Sequence, residues 1–257
     1  MTVRRLLVLD GSLAGDAAYG LAACVTREEQ KKADLFSVDL FSVQAVCQQS
    51  GRQAAEGIGL LLAQALEESG WGTENVPKNM PKNIPECVAV VIGPGSFTGL
   101  RASCATAAGY ALGVNAALVG VTRGEALAPA LEEAVAAQKA QQEAEWGWRL
   151  ITTARKGRVF IEEPDTIQAF DITQANVQHV RKTQDKKRWV LAGDAAPYFA
   201  CENAVLLPLY QPTPEQIAAA ALRRLRGDLP PRAALPLYVD PPEARLPAEG
   251  LRPAPFL

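Results

Sequence analysis

The sequence predicts an α/β protein of two units, the first running β-β-β-α-β-α-β-α. Three observations carry that expectation. Strand-length apolar runs alternate with helix-length segments through the first half. Three strand runs come in succession before the first helix, the pattern of an antiparallel meander. A polar, alanine-rich helix tail near residues 140–148 then precedes a second set of strands, which sets the expected units at 1–145 and 146–257.

Residues 4–10 read as the first strand and end in Asp10-Gly11-Ser12. In residues 17–26, Tyr19, Leu21, Ala23 and Val25 alternate with Ala18, Gly20, Ala22 and Cys24, a strand with one small-residue face. Residues 34–43 read as a third strand, with Phe36, Val38 and Leu40 on one side. Residues 48–70 read as a helix with an apolar stripe of Ala54, Ile58, Leu61 and Ala65. Its polar stripe holds Gln53, Glu56, Gln64 and Glu67, and Leu60 falls within it, flanked by Gly57 and Gly59. Residues 72–85, with a repeated Pro-Lys-Asn, read as a solvated loop.

Strands are expected at 87–92 and 116–121, with a helix at 98–112 between them. No side chain in that helix is larger than threonine from Ala102 to Gly109, so it buries little area and is suited to close approach. It is expected to pack on the small face of strand 17–26, or to meet a helix of another chain. Thr122 with Glu125 forms a capping-box signature for the next helix, and Pro129 inside that helix predicts a kink or restart. In the second unit, "WRLITTA" and "GRVFIEE" read as a hairpin about Arg155-Lys156-Gly157. Residues 188–194 read as a strand into a Gly-Asp turn. Residues 213–227 read as a helix with Pro214 at its start and Gly227 at its stop, followed by an extended proline-rich tail from Leu229.

Composition narrows the chemistry. Over 257 residues, 48% are hydrophobic and 21% charged, enough for sizeable cores, and the net charge of −2 argues against a non-specific nucleic-acid binder. The basic clusters 181–188 and 223–227 read as solvated faces. No apolar run approaches the ~20 residues that span a bilayer, and the short run Leu6–Leu9 does not make a signal-peptide core, so a cytoplasmic location is expected. Five scattered cysteines fit reduced thiols. The single histidine, His179, lies in a polar stretch and reads as solvated; it rules out a two-histidine metal site.

The stretch "GPGSFTGLR" (93–101) places a glycine corner and two hydroxyls before a helix N-terminus, a geometry that favours anions. The residues that would touch an anion or nucleotide are Asp10, Ser12, Gly95, Ser96 and Thr98. Named motifs fail, however. No lysine makes a Walker A loop, the third glycine of a dinucleotide fingerprint is missing, and Ser96 lacks the glycines of a nucleophile elbow. The plain reading is a tight turn with Thr98 as N-cap, assisted by Ser96.

The nine-residue corner, with "ALVGVTRGEALA" (117–128) after it, resembles the TsaB (YeaZ) family. "LLVLDGS", "TTARKGRVF" (152–160), "LAGD" (191–194) and "PLYVDPPEA" (236–244) resemble further family landmarks in order, with departures at Gly11, Thr153 and Asp240 and a longer 72–85 loop. The resemblance implies two actin/hexokinase-like lobes, the first a mixed sheet flanked by helices. It also implies a non-catalytic subunit of the machinery that makes threonylcarbamoyladenosine in tRNA. Such a subunit pairs with a TsaD-type transferase, is joined by a TsaE-type ATPase, and self-associates when alone. ATP or ADP and metal would belong to the partners, and tRNA would be met only through the complex. Carried onto this chain, the pairing surface is the helix 48–70 and the helix after the corner: Gln53, Gly57, Leu60, Leu61, Gln64, Arg101, Ala102, Ala105, Thr106 and Gly109. The rival from the same superfamily is a small-molecule kinase using Asp10 and Asp194 in the cleft; the sequence offers no second glycine-rich phosphate hairpin for it.

Overall fold

The computed structural model describes residues 3–13, 18–28, 39–51, 54, 57–72, 83–154, 157–175 and 187–239. Two five-stranded sheets organise the chain. In the first, β1 (Arg5–Asp10), β2 (Tyr19–Arg27) and β3 (Phe41–Ser50) form the antiparallel meander, and β4 (Cys87–Gly93) and β5 (Ala117–Thr122) add parallel strands on the other side of β1. The order is β3-β2-β1-β4-β5. β1 and β4 are buried on both faces, which is why they read as unbroken apolar runs.

The second sheet repeats the first. β6 (Trp146–Thr153), β7 (Arg158–Glu162) and β8 (Ile167–Asp171) run antiparallel, and β9 (Arg188–Ala192) and β10 (Ala204–Leu206) are parallel to β6. The order β10-β9-β6-β7-β8 is the first sheet's order with each strand replaced by its counterpart. The chain leaves β4 through Gly93 (φ 125°) and β9 through Gly193 (φ 102°), so the two sheets also share a left-handed exit at the same place.

Helices α1 (Ile58–Ser69) and α2 (Phe97–Val114) cover one face of the first sheet, Ile58, Leu61, Cys104 and Ala107 packing on Leu7, Leu9, Val88 and Val90. α5 (Pro214–Arg226) covers the other face, with Ile217, Ala218 and Leu222 against Leu6, Val8 and Val91. α3 (Arg123–Gln141) lays Leu127 and Leu131 on Trp146, Trp148 and Leu150 of the second sheet. The short α4 (Ile172–Ala175) follows β8.

Several expectations are corrected. Residues 41–50 are a strand, not the end of a strand and the start of a helix; residues 34–38 lie outside the described residues. β3 is an edge strand with its outer face in water, so its glutamines blur the alternation. The first helix starts at Ile58, after Gly57, which offers no side-chain cap. Of the kink or restart expected at Pro129, the restart does not occur: α3 runs on through the proline, with fully buried Leu127 and Leu131 on either side packed on the second sheet. The helix beside β2 is α1 rather than α2, which lies over β4. The helix at 213–227, placed with the second unit, packs on the first sheet. Within the basic cluster 223–227, Arg224 is not solvated: its guanidinium pairs with Glu125 at 2.5 Å and donates to the Gly120 carbonyl. β8 and β10 were not anticipated. The loop 72–85, the hairpin tip at 155–156, the basic stretch 181–186, His179 and Asp240 fall wholly or largely outside the described residues.

Candidate functional site

The glycine corner joins β4 to α2 and packs against the turn that follows β1. Ser96, with ψ 121°, is the N-cap of α2, and its Oγ accepts from the Gly99 amide at 3.2 Å; Thr98, the expected cap, lies exposed in the first turn. A Cβ on Gly95 would stand 1.9 Å from the Ser12 carbonyl oxygen. That same oxygen accepts the Ser96 amide at 2.7 Å. The chain's own backbone therefore engages a donor that an anion would need. Ser12 is fully buried, and its amide donates to Asp10 Oδ1 at 2.8 Å, closing the Asp-Gly-Ser turn. Of the residues expected to touch an anion, Ser12, Gly95 and Ser96 form this joint, and Asp10 accepts the Ser12 amide while its charge acts on Arg123.

A charged cluster lies where the two sheets meet. Arg123, the first residue of α3, is only 1% exposed. Burial pushes its guanidinium pKa down, and the charges of Asp10, Asp194 and Glu162 oppose that shift. Its Nη2 donates to the Tyr210 carbonyl. Asp194, just past β9, accepts the Thr153 amide at 3.2 Å on each oxygen. Glu162, from β7, reaches across to the first turn of α3, where it accepts from the Thr122 hydroxyl and from the Gly124 amide at 2.9 Å. Burial raises its carboxyl to about 7, against the pull of these two donors. A Cβ on Gly124 would lie 2.3 Å from Glu162 Cδ, so glycine is needed for this approach. Reading the sequence missed both Arg123 and Glu162. One signal was present: an arginine in the first turn of a helix opposes the helix dipole and calls for acidic company.

The residues carried over as a partner surface divide into three sets. Leu60, 74% exposed, and Gln64, Arg101, Ala105 and Gly109 form the outer face of α1 and α2, with Leu112, 85% exposed, beyond them. Gly57, Ala102 and Thr106 are half-buried along its margin. Leu61 is corrected: at 5% exposure it belongs to the core under α1, where it packs against β2. Gln53 lies outside the described residues. Added Cβ atoms on Gly59, Gly109 and Gly113 would meet nothing within 4 Å among the described residues, so none of these requires the helix glycines. At the α2 N-terminus, Arg101 lies over the Phe97 ring at 3.9 Å and donates to the Tyr238 hydroxyl at 2.8 Å, tying the tail to the corner.

Residues 46–173, just under half of the chain, match the family model described as TsaD: tRNA N6-adenosine threonylcarbamoyltransferase. A crystal structure of an uncharacterized protein with similarity to peptidase YEAZ from Pseudomonas aeruginosa superposes at TM-score 0.56, with 18% identity, covering 92% of this chain and 100% of its own. The chain has the YeaZ fold. YeaZ from Pseudomonas aeruginosa itself superposes at TM-score 0.54, also with 18% identity, over 91% of this chain and 99% of that one. No curated protein matches the sequence. The YeaZ fold and the TsaD-family segment bear out the resemblance to the TsaB (YeaZ) family and the two-lobed actin/hexokinase-like architecture. Among the described residues no helix is long and apolar enough to cross a membrane.

Proposed function

We propose that the chain is a TsaB-type accessory subunit in the synthesis of threonylcarbamoyladenosine in tRNA, acting through a TsaD-type transferase rather than as a catalyst. The observation that carries this reading is the outer face of α1 and α2 in a YeaZ fold. That face exposes Leu60 and Leu112 and carries Gly59, Gly109 and Gly113, for which the described residues give no reason for glycine. A helix glycine costs about 1 kcal/mol relative to alanine, and close approach of another helix offsets such a cost. Residues 1–145 would form the partner-binding lobe and 146–257 the smaller one, with α5 crossing back to the first sheet. The same face would serve self-association in the isolated chain. ATP, ADP and metal would be held by the TsaD-type and TsaE-type partners, tRNA would be met through the assembly, and the setting would be the cytoplasm.

The superfamily kinase reading gains nothing from the geometry. Asp10 and Asp194 stand near a buried arginine of the same chain, and the helix corner is closed on Ser12. Reconstitution tests the proposal. A TsaD-type transferase supplied with TsaE-type ATPase, tRNA and threonylcarbamoyl-AMP should modify adenosine only when this chain is added. Modification at the same rate without it, or steady ATP turnover by the chain alone, would contradict the reading.

A further inference from the structure

We propose that the first turn of α3 is a latch that fixes the second sheet against the first, with Arg123 and Glu162 as its two halves. Contacts from four distant stretches converge on three consecutive residues. Thr122 and Gly124 donate to Glu162 of β7, and Arg123 donates to the Tyr210 carbonyl, in the segment that leads into α5. The guanidinium also sits in the field of Asp10 at the end of β1 and of Asp194 beyond β9. Glu162 and Arg123 are both almost wholly buried, so their polar atoms depend on partners inside the chain. Gly124 makes the geometry available, since any Cβ there would displace the Glu162 carboxyl.

The latch responds to protons. On α3 the carboxyl of Glu162 faces Arg123, which favours its charge, and Glu125, which opposes it. Glu125 is itself paired with Arg224 of α5 and, at 3.5 Å, with Arg232 of the tail. Asp10 and Asp194 act on Arg123. On the adjacent β6, Arg149 turns away to Glu163 and the Trp189 ring. Desolvation is the largest influence and raises the carboxyl to about 7. Protonated Glu162 is therefore the tighter form, and the latch slackens as pH rises through neutrality. The inference concerns the chain alone and does not depend on which partner it meets.

Hydrogen exchange on the full chain, compared with Gly124→Ala and Glu162→Gln, tests it. Gly124→Ala should speed exchange roughly tenfold, the scale of one lost hydrogen bond. The increase should appear together in the first turn of α3, in β7, and around Asp10–Ser12 and Asp194, with β2 and β4 unchanged. An increase confined to α3, or one spread evenly over both sheets, would overturn the latch. Glu162→Gln keeps the shape and cannot ionise. After correction for intrinsic exchange, the parent chain should loosen at these sites between pH 6 and pH 8 and the glutamine variant should not; an equal response in both would overturn it.

Discussion

Replacing Gly109 by alanine should stabilise the isolated chain and weaken its association, two effects of opposite sign from one methyl group. Gly109 lies in the middle of α2, on its exposed side, and a Cβ there meets nothing within 4 Å. The methyl therefore adds no clash and removes backbone freedom from the unfolded chain, a gain of about 1 kcal/mol. For a chain of this size that raises the melting temperature by about 2–4 °C. Across a close helix–helix contact the same methyl overpacks the seam, at a cost of about 1–3 kcal/mol, or roughly 5- to 150-fold in Kd. Calorimetry of the dilute chain reads the first effect, and titration against a TsaD-type partner reads the second. A lower melting temperature would mean that the helix surface is not open as described. A higher one with undiminished association would mean that the glycines do not serve a contact, and would remove the observation on which the proposed interface rests.

Other perturbations give equally definite outcomes. Gly95→Ala drives a Cβ into the Ser12 carbonyl, 1.9 Å away, and should cost about 3 kcal/mol or more in denaturant unfolding; a loss under about 1 kcal/mol would show that the β1–α2 joint is loose. Leu60→Arg should leave stability within about 0.5 kcal/mol while weakening association roughly tenfold or more; unchanged association would make Leu60 a bystander. Glu162 carries a folded-state value of about 7 against an ordinary 4.5. The folded chain therefore holds this proton more tightly than the unfolded one, and its contribution is complete below about 4.5 and lost as pH climbs to about 7. Between pH 4.5 and pH 8 the parent chain should lose about 3 kcal/mol more stability than Glu162→Gln; parallel curves would refute the assignment.

Much of the fold was legible because burial leaves a plain mark. β1, β4 and β5 read as apolar runs, and the Thr122–Glu125 capping box set the start of α3 to the residue. What failed failed for identifiable reasons. β3 carries water-facing glutamines at the sheet edge, which hid its continuation to Ser50. Gly57 gives α1 no side-chain cap to announce it. The restart at Pro129 did not occur, because the helix there is held by packing that only the second sheet supplies. The repeat of the first sheet in the second is a repeat of topology without one of sequence, so the residue pattern did not show it; the family resemblance implied it and the strand pairing displays it. On α1, helical periodicity set Leu60 and Gln64 on the outside and Leu61 in the apolar stripe; only the pairing surface carried over by resemblance misplaced Leu61. The interlobe cluster could not be drawn from periodicity, because Asp10, Arg123, Glu162, Asp194 and Tyr210 come together only through the contact of the two lobes.

The most direct test of the central claim is light scattering on a sizing column, with the chain alone and then mixed with a TsaD-type paralogue. The account predicts a new peak at the mass of a one-to-one pair, formed at the expense of any self-dimer and lost with Leu60→Arg. Two unshifted peaks at micromolar concentration would contradict it.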